Sequence, residues 1–500
     1  MTATFSQRFW RVGRSIAKWT AIVVGALAIL IVVAYWEEDW RGACDWTKTK
    51  QELIAKGEIL DLRKMIPSGR PENDLSKVPL FAEAANQWQR AVDLDSFKFN
   101  TIPPIQFDRI NTTLGAKLDI LPPSEGSYFR RQPVDLAAWQ DFYHKLPEAH
   151  LPSQNGTPAQ DVLRALSQLD DSLQTIHVAV TNPDAYWPEN YEHPFTVTVA
   201  PQVDLLRVAK VLSLRGSAYL ADGKANRALE DYLFLLELMR PEEKNPRYVT
   251  FLVDLGVRAI GYSIVWEGIH SHSWNVSQLH EIESALDHPT LLELGIRTYR
   301  VERSEKLSSM DFMESSRPSN LVHTKSERDL WSFLRLRPDG WWDQDRLAYS
   351  IQIQKQIDRI DLKRGAFAKE EPPRTPSSLR WLYTPLSKVL WTLPGSVSRK
   401  MVEAETQRRL AELACRLEEF YLLHQNYPDS ISEMGTLPEH LNEEVLTGKP
   451  MHYRRENKSY MLYSTGWDGI DHGGVRQSPP YEKDGVSNLR DEWDWILTGP

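Results

Sequence analysis

From Trp19 to Trp36 the chain reads WTAIVVGALAILIVVAYW, eighteen residues without one charged side chain. At ~1.5 Å rise per residue an α-helix of that length covers roughly 27 Å, close to the hydrocarbon thickness of a bilayer. Trp19, Tyr35 and Trp36 stand at its ends, where amphipathic rings settle among headgroups. Arg8, Arg11, Arg14 and Lys18 precede the run, and Glu37, Glu38 and Asp39 come directly after it. This asymmetry predicts a basic cytoplasmic tail at 1–18, a transmembrane signal anchor at 19–36 that contacts the lipid bilayer, and a body exported across the membrane. In a bacterium that is a single-pass inner-membrane protein with a periplasmic body. A cleaved signal peptide is the competing reading, because Ala26–Leu27–Ala28 has the small-x-small form. Ile29–Val33 continues the apolar run directly behind it, so an uncleaved anchor is favoured.

The formal net charge is -9 in spite of the basic tail. An acidic body lacks the cationic footprint that phosphate backbones require, which excludes nucleic acid as the expected partner. Cys44 and Cys415 are the 2 cysteines, too few for a disulfide scaffold or a Cys-rich metal site. One bridge between them and two lone thiols both stay open. With 41% hydrophobic and 25% charged residues, the chain is expected to fold rather than remain disordered.

The expected fold is mainly α. A juxtamembrane helix from Trp40 to about Arg63 opens an exported, irregular region at 37–132. Ile66–Pro67–Ser68–Gly69–Arg70–Pro71 breaks the helix, and Pro103–Pro104 and Pro122–Pro123 interrupt the remainder of the region,. A helical domain is expected over 133–400. Its apolar periodicity predicts helices at Val134–Tyr143, Ala159–Leu173, Gln202–Leu220, Lys224–Met239, Tyr248–His270, Val276–Leu286, Leu291–Met310 and Leu347–Leu362,. Between the last two, Trp331, Trp341 and Trp342 either close a core or anchor a partner or lipid headgroups. The stretch 379–394 is aromatic and apolar, but Pro385 and Pro394 argue against a second membrane span.

Gly216, Tyr219, Gly223, Ala228 and Tyr232 are spaced so that this segment resembles a tetratricopeptide repeat. The resemblance implies a helical hairpin turning at Gly223 with Tyr219 and Tyr232 packed in its groove. Arg215 stands where that family carries leucine, and Leu235 where it carries a small residue. An ordinary helix pair in an irregular bundle is the other reading.

A final α/β module is expected over 401–500. Leu410, Leu413, Ala414, Leu417, Phe420, Tyr421 and His424 trace one face of a helix from Met401 to about Gln425, which Asn426–Tyr427–Pro428 stops,. Met451–Arg455 and Ser459–Ser464 alternate as a hairpin, and Trp493–Leu497 suits a last strand,. Tyr427–Pro428, Gly448–Lys449–Pro450, Tyr463–Ser464–x–Gly466–x–Asp468–Gly469, Gly473–Gly474 and Asp494–Trp495 together resemble the globular domain of the major pseudopilin of type II secretion systems, over residues 403–497. The resemblance implies a helix on a small sheet and a calcium-binding acidic loop. Met1–Trp36 lacks that family's processed leader and early glutamate. As a whole, the chain, with its Glu302–Arg303–Ser304 segment, resembles large single-anchor envelope proteins of Planctomycetes and Verrucomicrobia that end in such a module.

Calcium also has a physical rationale. Asp468 and Asp471 offer hard carboxylate oxygens from a glycine-rich turn, with Ser464 and Asp494 to complete a structural site. Asp484 and Asp491 compete with Asp494 as the returning ligand. Aspartate and glycine also make plain exposed turns. No nucleophile elbow, phosphate loop, zinc-protease signature or dinucleotide fingerprint is present,. Glu267, His270 and His272 form the nearest metal-like cluster, though a polar helix terminus accounts for them. Glu302, Arg303 and Glu305 read as a solvated face or buried ion pairs rather than an acid/base set. The expected function is non-enzymatic: a membrane-anchored structural or scaffold subunit of a cell-envelope assembly, with membrane-associated envelope proteins as partners and self-association into a homo-oligomer open. An envelope-polymer hydrolase and an accessory component of a secretion or pilus-like system are the alternatives.

Overall fold

The computed structural model describes all residues except 1–2, 66–70, 83–91, 94–97, 100–122, 124–125, 127–131, 147–148, 150, 153–155, 188–199, 244–245, 288–289, 316–336, 370–383, 385, 388–393, 475–494 and 500. It is mainly helical and divides into two compact units. The first joins Met1–Leu60, Lys306–Gln352 and Pro373–Thr392; the second joins Asp61–Glu305, Ile353–Pro372 and Leu393–Pro500.

In the first unit, helix α1 (Ala3–Ala55) runs unbroken through the apolar stretch and beyond it. The expected juxtamembrane helix is therefore a continuation of the anchor helix, and it ends earlier than Arg63. Gly57, at φ 82°, closes α1: its N–H donates to the Ile54 carbonyl and that of Glu58 to the Leu53 carbonyl. This is the left-handed glycine stop that satisfies orphan carbonyls. The large apolar side chains from Trp19 to Trp36 are exposed, and the helix is long and apolar enough to cross a membrane.

The same unit contains the start of a helix at Gly340–Asp358, earlier than the expected Leu347. Its first turn brings in Trp341 and Trp342. Trp342 is buried beneath the Arg337 guanidinium, 3.7 Å from its ring centroid. Arg337 pairs with Asp345 at 2.7 Å, so this tryptophan closes a core. Trp331 and most of 379–394 lie outside the described residues.

The second unit is built on α2 (Leu136–His144), α3 (Pro158–Leu166), α4 (Asp170–Val180), α5 (Ala200–Ala221), α6 (Ala225–Glu237), α7 (Tyr248–His270), α8 (Val276–Asp287) and the start of α9 (Leu291–Ser315). The helix at Gly340–Asp358 is α10. The helix expected over Ala159–Leu173 is in fact α3 and α4, separated by a 3-10 turn at Ser167–Leu169. There the Ser167 hydroxyl donates to the Arg164 carbonyl, competing with continuation of the helix. The break leaves Asp170 and Asp171 in the first turn of α4, where carboxylates suit the helix dipole.

Helices α5 and α6 form a hairpin that turns at Gly223, φ 72°. Ala228 and Tyr232 are wholly buried in it, and a Cβ on Gly216 would press on Ile264 of α7. Helix α7 is apolar and long enough to cross a membrane, yet most of its apolar stretch is buried inside the protein. It is a core helix.

Helix α11 (Pro394–His424) begins before the expected Met401, because proline is well placed in a first helical turn, where its missing N–H costs nothing. Strands β1 (His452–Glu456), β2 (Ser459–Ser464) and β3 (Trp495–Thr498) make an antiparallel sheet, with His452 opposite Tyr463 and Ser464 opposite Trp495. The core of this module is continuous with that of the helices. One apolar cluster runs from Tyr232, Tyr262 and Trp274 to Leu413, Tyr427 and Tyr460. Cys415 is buried and Cys44 exposed, and both are free thiols.

Candidate functional site

A cleft of about 700 Å³ opens in the second unit between α4 and α6, with α5 as its floor. Helical spacing selects its lining. Asp170, Gln174 and His177 share a face of α4; Arg215 and Tyr219 stand one turn apart on α5; Arg227, Glu230, Asp231 and Phe234 share a face of α6,.

Arg215 is the centre of the arrangement. Its Nε and Nη2 donate to the two oxygens of Asp231 at 2.9 and 2.6 Å, and Nη1 donates to Asp170 at 2.7 Å. This fork uses the planar geometry that lysine lacks. Burial pushes the Asp231 carboxyl up to about 6, although the Arg215 hydrogen bonds and charge oppose the rise. Burial also opposes the charge on Arg215, but Asp231 outweighs it and raises the guanidinium above its usual range. Beside them, His177 pairs with Glu237 at 3.0 Å and lies against Phe234, their rings 4.5 Å apart. Lys224 and Arg227, on the rim, pair with Asp222 and Glu230 at 2.7 Å each. Such exposed pairs contribute little and exchange readily for a ligand's charges.

Asp231 has a pH signature. A carboxyl raised from 3.8 to about 6 favours the folded state below pH 4, and that contribution is lost as pH rises through 6. Asp231→Asn is expected to flatten the decline in stability between pH 4 and 6. Urea unfolding at stepped pH tests this, and an unchanged slope would remove Asp231 as the titrating group.

The sequence-predicted residues are distributed differently. The Ser464 hydroxyl donates to buried Glu444, which also accepts the Thr465 N–H at 2.8 Å. Asp468 accepts the Ile470 N–H at 2.9 Å and faces His472 at 3.1 Å. Asp471 accepts the Gly473 N–H at 2.7 Å and the Tyr463 hydroxyl at 3.1 Å. The Gly473 bond heads the causes that hold its pKa below the ordinary value. The two aspartates thus share a turn, while the Ser464 hydroxyl is directed to Glu444. Asp494 lies outside the described residues, as do Asp484 and Asp491. Among the described residues no group of three His, Cys, Asp or Glu is placed to hold a metal ion.

The Glu267–His272 segment is dispersed. Glu267 accepts the Val134 N–H at 2.9 Å, His270 stacks on Trp266, and His272, at φ 49°, bonds Glu418 at 2.8 Å. Glu302, Arg303 and Glu305 are buried, with Glu305 3.1 Å from Arg247 and Arg303 donating to Gln354 at 2.8 Å. They are the buried polar set of the two readings.

The cleft is not legible in the chain order. Its one local signal was Arg215 at a position where a hairpin of this kind expects leucine; nothing local marked Asp231 or Asp170 as its partners.

Fold and cleft together define a mainly helical protein with a candidate membrane-spanning helix at its amino end and a groove lined by charged and aromatic side chains. Comparison with protein-family models, with curated proteins and with solved structures finds no match to this chain.

Proposed function

We propose that this protein is a single-pass, membrane-anchored scaffold subunit of a bacterial cell-envelope assembly, with its amino terminus cytoplasmic and its body periplasmic. The observation that carries this reading is α1: its apolar stretch is wholly unburied within the protein and continues as helix to Ala55. Hydrocarbon is the solvent in which such a surface is stable. The membrane helix confines the body to two dimensions and raises its effective concentration near membrane partners.

The cleft supports capture of a protein segment. It has Lys224 and Arg227 for a carboxylate, Phe234 and Tyr219 for an apolar or aromatic side chain, and a floor locked by Arg215. The tetratricopeptide-like hairpin and pseudopilin-like terminus belong to this reading as expected packing styles.

Purification of the intact protein from native membranes under mild conditions, with mass spectrometry of the complex, tests the proposal. A stoichiometric membrane partner is expected, and Lys224→Glu/Arg227→Glu is expected to lose it while the protein stays at its normal level in the membrane. Repeated recovery of a monomer or self-oligomer alone would overturn the scaffold role.

A further inference from the structure

The anchor helix is clamped, rather than merely tethered, at the end of its apolar run. Asp39 Oδ1 accepts the Gly340 N–H at 2.8 Å, so a residue of α1 caps the amino end of α10 from 301 positions away. Glu38 Oε2 accepts the Trp341 indole N–H at 3.0 Å, and the same carboxylate holds Arg41. Between these bonds the two backbones touch: a Cβ on Gly42 would collide with the Gly340 carbonyl, and one on Gly340 with that of Glu38. One turn on, Gln344 reaches Asp45 at 3.2 Å.

The level of this clamp is set by helix geometry. Glu38, Asp39 and Gly42 lie about 3, 4.5 and 9 Å along the helix from Trp36, at ~1.5 Å per residue. The headgroup layer of one leaflet is roughly 5–7 Å deep. If Trp36 ends the membrane span, the bonded start of α10 cannot lie elsewhere than in that layer or at its outer edge. Its chemistry fits. Trp36 and Trp40 are 70% and 61% exposed, and Trp341 is half-buried with its N–H fixed on a carboxylate. Amphipathic rings of this kind favour the interface. Glu37 is exposed beside Glu38 and Asp39, and three carboxylates set against the Arg41 cation that Glu37 and Glu38 share suit ammonium-bearing headgroups better than anionic ones.

We propose that the first turn of α10 is a second membrane contact: it seats in the headgroup layer beside α1, with Trp36, Trp40 and Trp341 as an interfacial aromatic collar that takes zwitterionic, ammonium-bearing lipid. This rests on reading 19–36 as the membrane span. The contact fixes the angle at which the first unit leaves the bilayer, which a flexible tether would not do.

The test uses the full chain with Cys44→Ser, reconstituted in phosphatidylethanolamine/phosphatidylcholine nanodiscs and carrying one nitroxide. Its depth is read from relative collision with oxygen and with a water-soluble nickel chelate. A label at Ala26→Cys reports the span; a label at Asp339→Cys reports the proposed contact. The expected result is hydrocarbon depth at 26 and, at 339, a position within about 5 Å of the phosphates. Adding Gly340→Leu is expected to move the 339 label into water while 26 stays deep. Replacing the zwitterionic lipids with phosphatidylglycerol is expected to move it outward too. A deep label at 26 with an aqueous label at 339 would overturn the contact and leave the anchor standing. A 339 label shielded from both quenchers would assign the surface to protein instead of lipid, also overturning it. An aqueous label at 26 would remove the anchor and the contact together.

Discussion

Arg215→Met is expected to destabilise the α5–α6 hairpin by about 3–5 kcal/mol, the range for removing one partner of a buried ion pair. The side chain of Asp231 is only 5% exposed, and Arg215 supplies both of the hydrogen bonds that its two oxygens make with that guanidinium. Without them the carboxylate must shed its charge by taking up a proton. The deficit is therefore expected to be larger at pH 8 than at pH 5, on either side of the Asp231 value of about 6,. Native-state hydrogen exchange along α6 reads this locally. The double variant Arg215→Met/Asp231→Leu removes both charges together and is expected to regain most of the protection, since apolar replacement of a buried pair is often neutral or better. If the cleft captures a protein segment as proposed, the double variant is also expected to lose that partner. Recovery of both stability and partner would assign the Arg215 network to packing alone.

Gly268→Ala is expected to cost about 3 kcal/mol, the upper part of the range for overpacking a filled interior. Alanine normally stabilises a helix interior by roughly 0.5–1 kcal/mol over glycine, so the sign here depends on what the methyl group meets. At Gly268 it meets the indole of Trp274. That ring is 2% exposed, and its N–H is held by the Val265 carbonyl at 3.0 Å. A rigid, hydrogen-bonded, buried ring has nowhere to turn. Gly295→Ala is the control: its methyl group meets the sulfur of Met401, which is also buried but belongs to an unbranched, three-torsion side chain that repacks more readily than an indole. Hydrogen exchange across α7–α8 for the first variant and α9–α11 for the second is expected to show a large loss of protection and little change, respectively. Equal losses would mean that the indole of Trp274 is not the obstacle.

Much of the helical architecture was legible in the sequence. Tyr248–His270 and Ser459–Ser464 occur with the expected ends, and α5, α6 and α8 differ from expectation by one or two residues at most ends. These elements carry their own periodicity and stop signals, such as Gly223 and Tyr427–Pro428. The boundaries that moved have both distant and local causes. The start of α10 depends on Asp39, and the division of α3 from α4 on how Ser167 spends its hydroxyl.

The candidate site was legible only as an anomaly, Arg215 beside Gly216. Its use required Asp170, 45 residues away, and Asp231, 16 away. Likewise, Glu37–Asp39 read in the sequence as the acidic side of a membrane span. In the fold, Glu38 and Asp39 also bind the first turn of another helix. The place of the apolar span and most of the helices can be read from chain order, because bilayer thickness and helical period act on consecutive residues. Which charges meet cannot, because an ion pair is made by side chains that the fold, and not the chain order, brings within about 4 Å.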